Sequence, residues 1–153
     1  MASSRFNIDP TANTPKQNFL LVWVDATVHA ATTDTENTLE KLRAIVPDVR
    51  LIDHPDKAVD LLTNTKTETS FVITSDEFGR ELVPRIHSLG NLDAIYIFSQ
   101  NVKFHSEWSN TWTKVVDVNN KIDLICEALR RAVKQCNQDN IAMVLSMPVM
   151  TII

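Results

Sequence analysis

Glycine is nearly missing from this chain. It holds two glycines in 153 residues, Gly79 and Gly90, where average usage of ~7% would give roughly ten. Loops that wrap a dinucleotide or a triphosphate need glycine so that backbone N–H groups can approach phosphate. Neither GxGxxG nor GxxxxGK(S/T) occurs, which excludes the usual NAD, FAD and ATP sites and leaves no cofactor to expect. Cysteine is equally scarce. Cys126 and Cys136 are the only two, and one helix would hold them about 15 Å apart, too far to bridge. Without CxxC spacing no zinc site is expected, and unbridged cysteines fit a reduced, cytoplasmic setting. Positive charge is also thin. The net charge is −4 and no basic run exceeds Arg130-Arg131, which argues against a nucleic-acid surface or an anionic membrane as partner. No stretch reaches the ~18–20 apolar residues of a membrane span, and Met1–Lys16 lacks the apolar core of a signal peptide.

What is present is alternation. Five apolar runs, Phe19–Val24, Val49–Ile52, Phe71–Ile73, Ala94–Phe98 and Val115–Val118, are separated by helical patterns. That order predicts a parallel sheet with helices on both faces. Phe19–Val24 is apolar throughout and reads as a central strand buried on both sides. The helical faces are marked by Leu39, Leu42, Ile45 and Val46; by Ala58, Val59, Leu61 and Leu62; by Leu82, Val83, Ile86 and Leu89; by the short aromatic segment Phe104–Trp112; and by Ile122, Ile125, Cys126, Leu129, Ala132 and Val133. Asp34 or Thr35, Asp53, Asp76, and Asn119 or Asn120 are the expected N-caps. Pro84 must lie in a first turn or kink its helix. The polar stretch Asn137–Asn140 reads as a break, and the apolar Ile141–Ile153 as an added strand or the start of a following segment. The expected division is a polar lead-in over 1–17, an α/β domain over 18–136, and a linker or further segment over 137–153.

In such folds ligands sit at the carboxyl ends of the strands. The residues there, Asp25, Asp53, Thr74, Ser75, Asp76 and Ser99, form the candidate cleft. Asp25, ending the most apolar strand, is the leading carboxylate. The four histidines, His29, His54, His87 and His105, show no HExxH or His i,i+4 spacing, so packing roles are expected and no metal site. Ser75 or Ser99 could be imagined in a Ser–His–Asp set, but no GxSxG elbow is present. No catalytic residue is assigned. Trp108 and Trp112 are one helical turn apart and, with Phe104, form a candidate interface, since Trp is enriched at binding hot spots.

The strand order and ligand positions resemble response-regulator receiver domains. That resemblance implies a flavodoxin-like (βα)5 fold with sheet order 2-1-3-4-5, an acid ending the third strand and a Ser/Thr ending the fourth. Asp25 and Ser99 match family positions. The second first-strand acid is replaced by Val24 and Ala26, Asp76 falls late, and Lys114 precedes the fifth strand instead of ending it. Magnesium needs several oxygen ligands, so a pseudo-receiver is expected. Ser99-Gln100-Asn101 followed by Ser106-Glu107-Trp108 resembles Toll/interleukin-1 receptor domains, some of which cleave NAD. Here the match follows the fourth strand, and Thr111 and Trp112 stand where their glutamate would be. The strings Val22-Trp23-Val24-Asp25, Leu82–His87, Ile95–Phe98, Glu107-Trp108 and Lys114-Val115 resemble the N-terminal module of invertebrate proteins that carry tetratricopeptide-type repeats and an arginine ADP-ribosyltransferase domain. This resemblance spans roughly Phe19–Val133.

These readings converge on a three-layer α/β/α sandwich acting as a non-catalytic interaction or regulatory module. Its expected partner is a protein, a neighbouring domain or a second copy. The alternatives are a cryptic nucleotide- or NAD-related enzyme of Toll/interleukin-1 receptor type and a phosphoacceptor receiver.

Overall fold

A computed structural model describes residues 18–65 and 67–146, with 139–146 described by their backbone alone. Strands β1 (Phe19–Val24), β2 (Val49–Ile52), β3 (Thr69–Ser75), β4 (Leu92–Phe98) and β5 (Val115–Asn119) alternate with helices α1 (Thr33–Arg43), α2 (Pro55–Asn64), α3 (Asp76–Ile86), α4 (Val102–Ser109) and α5 (Ile122–Ser146). All neighbouring strands pair in parallel, in the order β2-β1-β3-β4-β5. This is the flavodoxin-like arrangement that the alternation and the receiver resemblance lead one to expect. β1 is internal because its residues are apolar on both faces; Leu20, Leu21, Val22 and Val24 are all fully buried.

Side chains alternate across the sheet and build two cores. Leu20, Val22, Val24, Val72, Ile95 and Ile97 meet α2 and α3 on one face. Leu21, Phe71, Ile73, Ala94 and Tyr96 meet α1 and α5 on the other, through Leu42, Val46, Ile125 and Leu129. Each buried Leu or Ile contributes about 1.5–3 kcal/mol relative to exposure, so α1, α2, α3 and α5 are held mainly by their apolar stripes.

Local chemistry sets the helix ends, and it corrects several expectations. Thr32, not Asp34 or Thr35, caps α1; its Oγ1 accepts from Thr35 N at 3.1 Å. His54, not Asp53, caps α2 through Nδ1, which accepts from Asp56 N, and Pro55 fills the first helical position. Asp53 is instead drawn to Lys57 one turn on, with 2.8 Å between Oδ1 and Nζ. Asp76 is not a cap but the first residue of α3, after Ser75. Ser75, still extended, takes the cap position, so the helix starts one residue earlier than expected. Pro84 lies in the last turn of α3, not in its first, and the carbonyl it leaves unbonded, that of Arg80, belongs to an exposed residue. The helix α4 stops at Ser109, so Trp112 lies beyond it and does not share a helical face with Trp108. Asn119 Oδ1 accepts the Lys121 N–H at the entrance to α5. That helix then runs unbroken through Asn137–Asn140 to Ser146; a stretch of polar residues costs a helix only propensity. The part of the expected added strand up to Ser146 is therefore helical. The lead-in over 1–17 and the residues after 146 lie outside the described residues.

Candidate functional site

The carboxyl ends of the strands lie together at one edge of the sheet, and the period of two sorts their residues onto opposite faces. Asp25 follows the parity of Trp23, Ser75 that of Ile73, and Phe98 that of Tyr96, which places them on the α1/α5 face. Thr74 and Ser99 follow the parity of Val72 and Ile97 and belong to the α2/α3 face. The six candidate residues therefore do not converge on one centre. Two sites and one separate ion pair result.

On the α1/α5 face lies a cleft of about 400 Å³ at the β1/β3 switch point of the sheet. Asp25, Ser75, Trp23 and Phe98 line it from the strand ends, and α1 adds Asp34, Thr38 and Lys41. Asp25 turns the chain into the following loop. Its Oδ1 accepts both the Thr27 N–H and the Thr27 hydroxyl at 2.8 Å, an Asx-turn arrangement. The other carboxylate oxygen has no hydrogen-bond partner among the described residues. Ser75 Oγ is shut from water and also lacks a partner. Lys41 donates to Asp123 Oδ1 at 2.7 Å, and that carboxylate holds the Lys41 ammonium above its ordinary pKa.

On the opposite face four side chains form a chain of two hydrogen bonds and one longer carboxylate–imidazole contact. Ser99, 2% exposed, donates to Asp76 Oδ2 at 2.7 Å and accepts from Asn101 N. His105, 8% exposed, lies with Nε2 3.8 Å from the same Asp76 oxygen. Trp108 Nε1 donates to His105 Nδ1 at 2.8 Å. An indole N–H can only donate, so Nδ1 is the acceptor and a neutral His105 carries its proton on Nε2, toward Asp76. The order is thus serine–aspartate–histidine. Ser99 donates to a carboxylate that lies 3.8 Å from the imidazole Nε2, and the histidine faces the aspartate instead of the serine oxygen, unlike a Ser–His–Asp triad. The arrangement ties the β3–α3 junction to the β4–α4 junction. His105 was not among the candidate residues; its three-residue spacing from Trp108 on one helix was the available signal.

Asp53, after β2, pairs with Lys57 and lies 3.9 Å from His29 Nε2. The Lys57 hydrogen bond holds its carboxyl below the ordinary value. Among the described residues no three or more His, Cys, Asp or Glu side chains gather to hold a metal ion. Lys114 sits at the amino end of β5, away from this edge, and donates to Leu89 O at 2.7 Å. Burial pushes the Cys126 thiol up, which opposes thiolate chemistry.

The candidate interface residues differ from one another. Trp108 and Trp112 are half-buried and pack on the α2/α3 core, and Trp112 meets His87 edge-on at 5.2 Å between ring centroids. Phe104 is 42% exposed. The inward stripe of α4 is His105 and Ser109 with Val102, and Phe104 stands one residue off it. The Arg80 guanidinium lies 5.2 Å from its ring centroid, a cation–π contact on the surface. Val116 on β5 is exposed as well, and an open groove of about 390 Å³ separates α4 from β5.

No family model matches the chain, and no curated protein matches it. A solved structure, the lysine decarboxylase LdcF of Francisella novicida, is similar over 78% of this chain and 18% of its own, at 12% identity and a TM-score of 0.49. So slight a likeness to a fraction of a larger protein does not bear on activity. Among the described residues no helix is long and apolar enough to cross a membrane.

Proposed function

We propose that this domain is a non-catalytic interaction or regulatory module of pseudo-receiver type, which contacts a protein partner through α4. The observation that carries the reading is the chain Ser99–Asp76–His105–Trp108. The groups nearest to a receiver's acid and hydroxyl are committed to one another. Asp25 lies on the other side of the sheet, and Lys114 is bonded at the far end of β5. Phosphoryl transfer to Asp76 would require it to release the Ser99 hydroxyl, with neither a second acid nor a lysine to receive the charge. The exposed Phe104, backed by Arg80, has the composition of a binding hot spot. The sequence strings shared with the N-terminal module of tetratricopeptide-type, ADP-ribosyltransferase-bearing proteins support a place in a multidomain chain, with any transferase activity in another domain.

Two measurements test the reading. Acetyl phosphate with magnesium should leave tryptophan fluorescence unchanged; a saturable, magnesium-dependent change that Asp76→Asn removes would restore the phosphoacceptor alternative. Sedimentation velocity should show concentration-dependent association that Phe104→Ala weakens without lowering the melting temperature. A chain that stays monomeric at every concentration would rule out a second copy as the partner.

A further inference from the structure

We infer that the cleft on the α1/α5 face binds a small organic cation, a protonated amine carried on a short aromatic or apolar body. This goes beyond the interaction reading and rests on different residues. Both halves of the lining ask for positive charge. Asp25 and Asp34 supply two carboxylates, and Asp25 keeps one oxygen unengaged after making its turn with the other. Trp23 and Phe98, half-buried where the sheet ends, present aromatic rings, and a ring face attracts a cation as a carboxylate does. The one cation in the lining, Lys41, is committed to Asp123 at 2.7 Å, so it neither occupies the acids nor stands ready for a phosphate.

The remaining lining separates an organic cation from a metal ion. Ile73 and Ile122 give the cleft apolar wall, and among the described residues no cluster of metal-ligating side chains forms there. A volume of about 400 Å³ lies at the small end of ligand pockets, which run ~300–1,000 Å³. The cleft also occupies the β1/β3 switch point, where an open parallel sheet leaves room between diverging helices.

The probe is phenethylamine, titrated calorimetrically into the full chain and compared with phenylacetate, its anionic counterpart, and with AMP. The amine should bind saturably and the two anions should not. Asp25→Asn and Asp34→Asn should each weaken the amine by about tenfold, the loss of one charge-assisted contact. Asn at position 25 retains the Oδ1 acceptor of the turn, so the variant keeps the loop. Asp76→Asn, on the opposite face, should leave affinity unchanged. Amine binding should also alter tryptophan emission, and Trp23→Phe should remove that change while Trp108 and Trp112 remain. The inference is overturned if no amine heat is seen, if phenylacetate or AMP binds as well as the amine, or if both carboxylate variants bind like the parent.

Discussion

Tyr96 is the only tyrosine in the chain, is fully buried in β4, and has a hydroxyl without a hydrogen-bond partner. Burial is the main cause that pushes its phenol well above the ordinary value of 10.0, and the Asp93 charge adds to it. The folded chain thus binds this proton more tightly than the unfolded one. Stability owed to the neutral phenol is fully present below pH 10.0 and is lost as pH rises past that value. Phenolate absorbance should therefore appear only together with unfolding, and since no second tyrosine contributes, the signal is unambiguous. A phenolate that forms with an ordinary midpoint in the folded chain would refute this. Tyr96→Phe should flatten the alkaline loss. At neutral pH it should be neutral or stabilising, within about 1 kcal/mol, because the atom it removes pays desolvation without a bond in return.

At the scale of elements, Gly79 shows how local and tertiary demands can part. It lies buried inside α3, where glycine costs backbone entropy. A methyl group there would meet the side chains of Ile97 and Thr74 at 3.7–3.8 Å, which is ordinary contact. Gly79→Ala should stabilise the domain by about 0.5–1 kcal/mol, read from the urea midpoint at constant slope; a loss would mean that α3 sits closer to the sheet. The strands were legible because β1 to β5 are apolar runs bounded by polar turns, four of the helices because apolar residues recur at helical spacing, and α4 by its aromatics. Boundaries were less so. Thr32, Asp34 and Thr35 are all competent caps by residue type, and only the backbone decides among them. The site was legible as a set of strand ends and not as a geometry. Period-two counting along β1 and β3 already separates Asp25 and Ser75 from Thr74. It could not reveal that Asp76 meets Ser99, because Asp76 is the first residue of a helix, where the strand period no longer applies. Nor could it bring His105 and Trp108 to that pair, since this depends on how α4 docks.

The whole molecule is a rigid sheet with different chemistry on its two faces. The proposed amine cleft draws on Asp25, Trp23 and Phe98 with α1 and α5, and the proposed protein-binding surface on Phe104 and Arg80 with α3 and α4. Trp23 and Phe98 pack on the core of Leu21, Ile73 and Tyr96, while α3 and Trp108 of α4 pack on that of Val22, Ile95 and Ile97. These cores are separated by the sheet backbone and share no side chain. Residues without shared partners, more than ~7–10 Å apart, combine additively to about 0.3–0.5 kcal/mol. Asp25→Asn should consequently weaken phenethylamine binding without changing association, and Phe104→Ala should weaken association without changing amine affinity. In the double variant each effect should appear at its single-variant size. A coupling above about 1 kcal/mol in that cycle would mean the two faces communicate. Ser75 and Asp76 mark where such communication would pass, because the last residue of β3 lines the cleft and the next one anchors the Ser99–His105–Trp108 chain. Asp76→Asn is then the discriminating third variant. If the faces are independent it perturbs only the α4 side; if they are coupled it shifts amine affinity as well, and the regulatory form of the domain's role gains a path one peptide bond long.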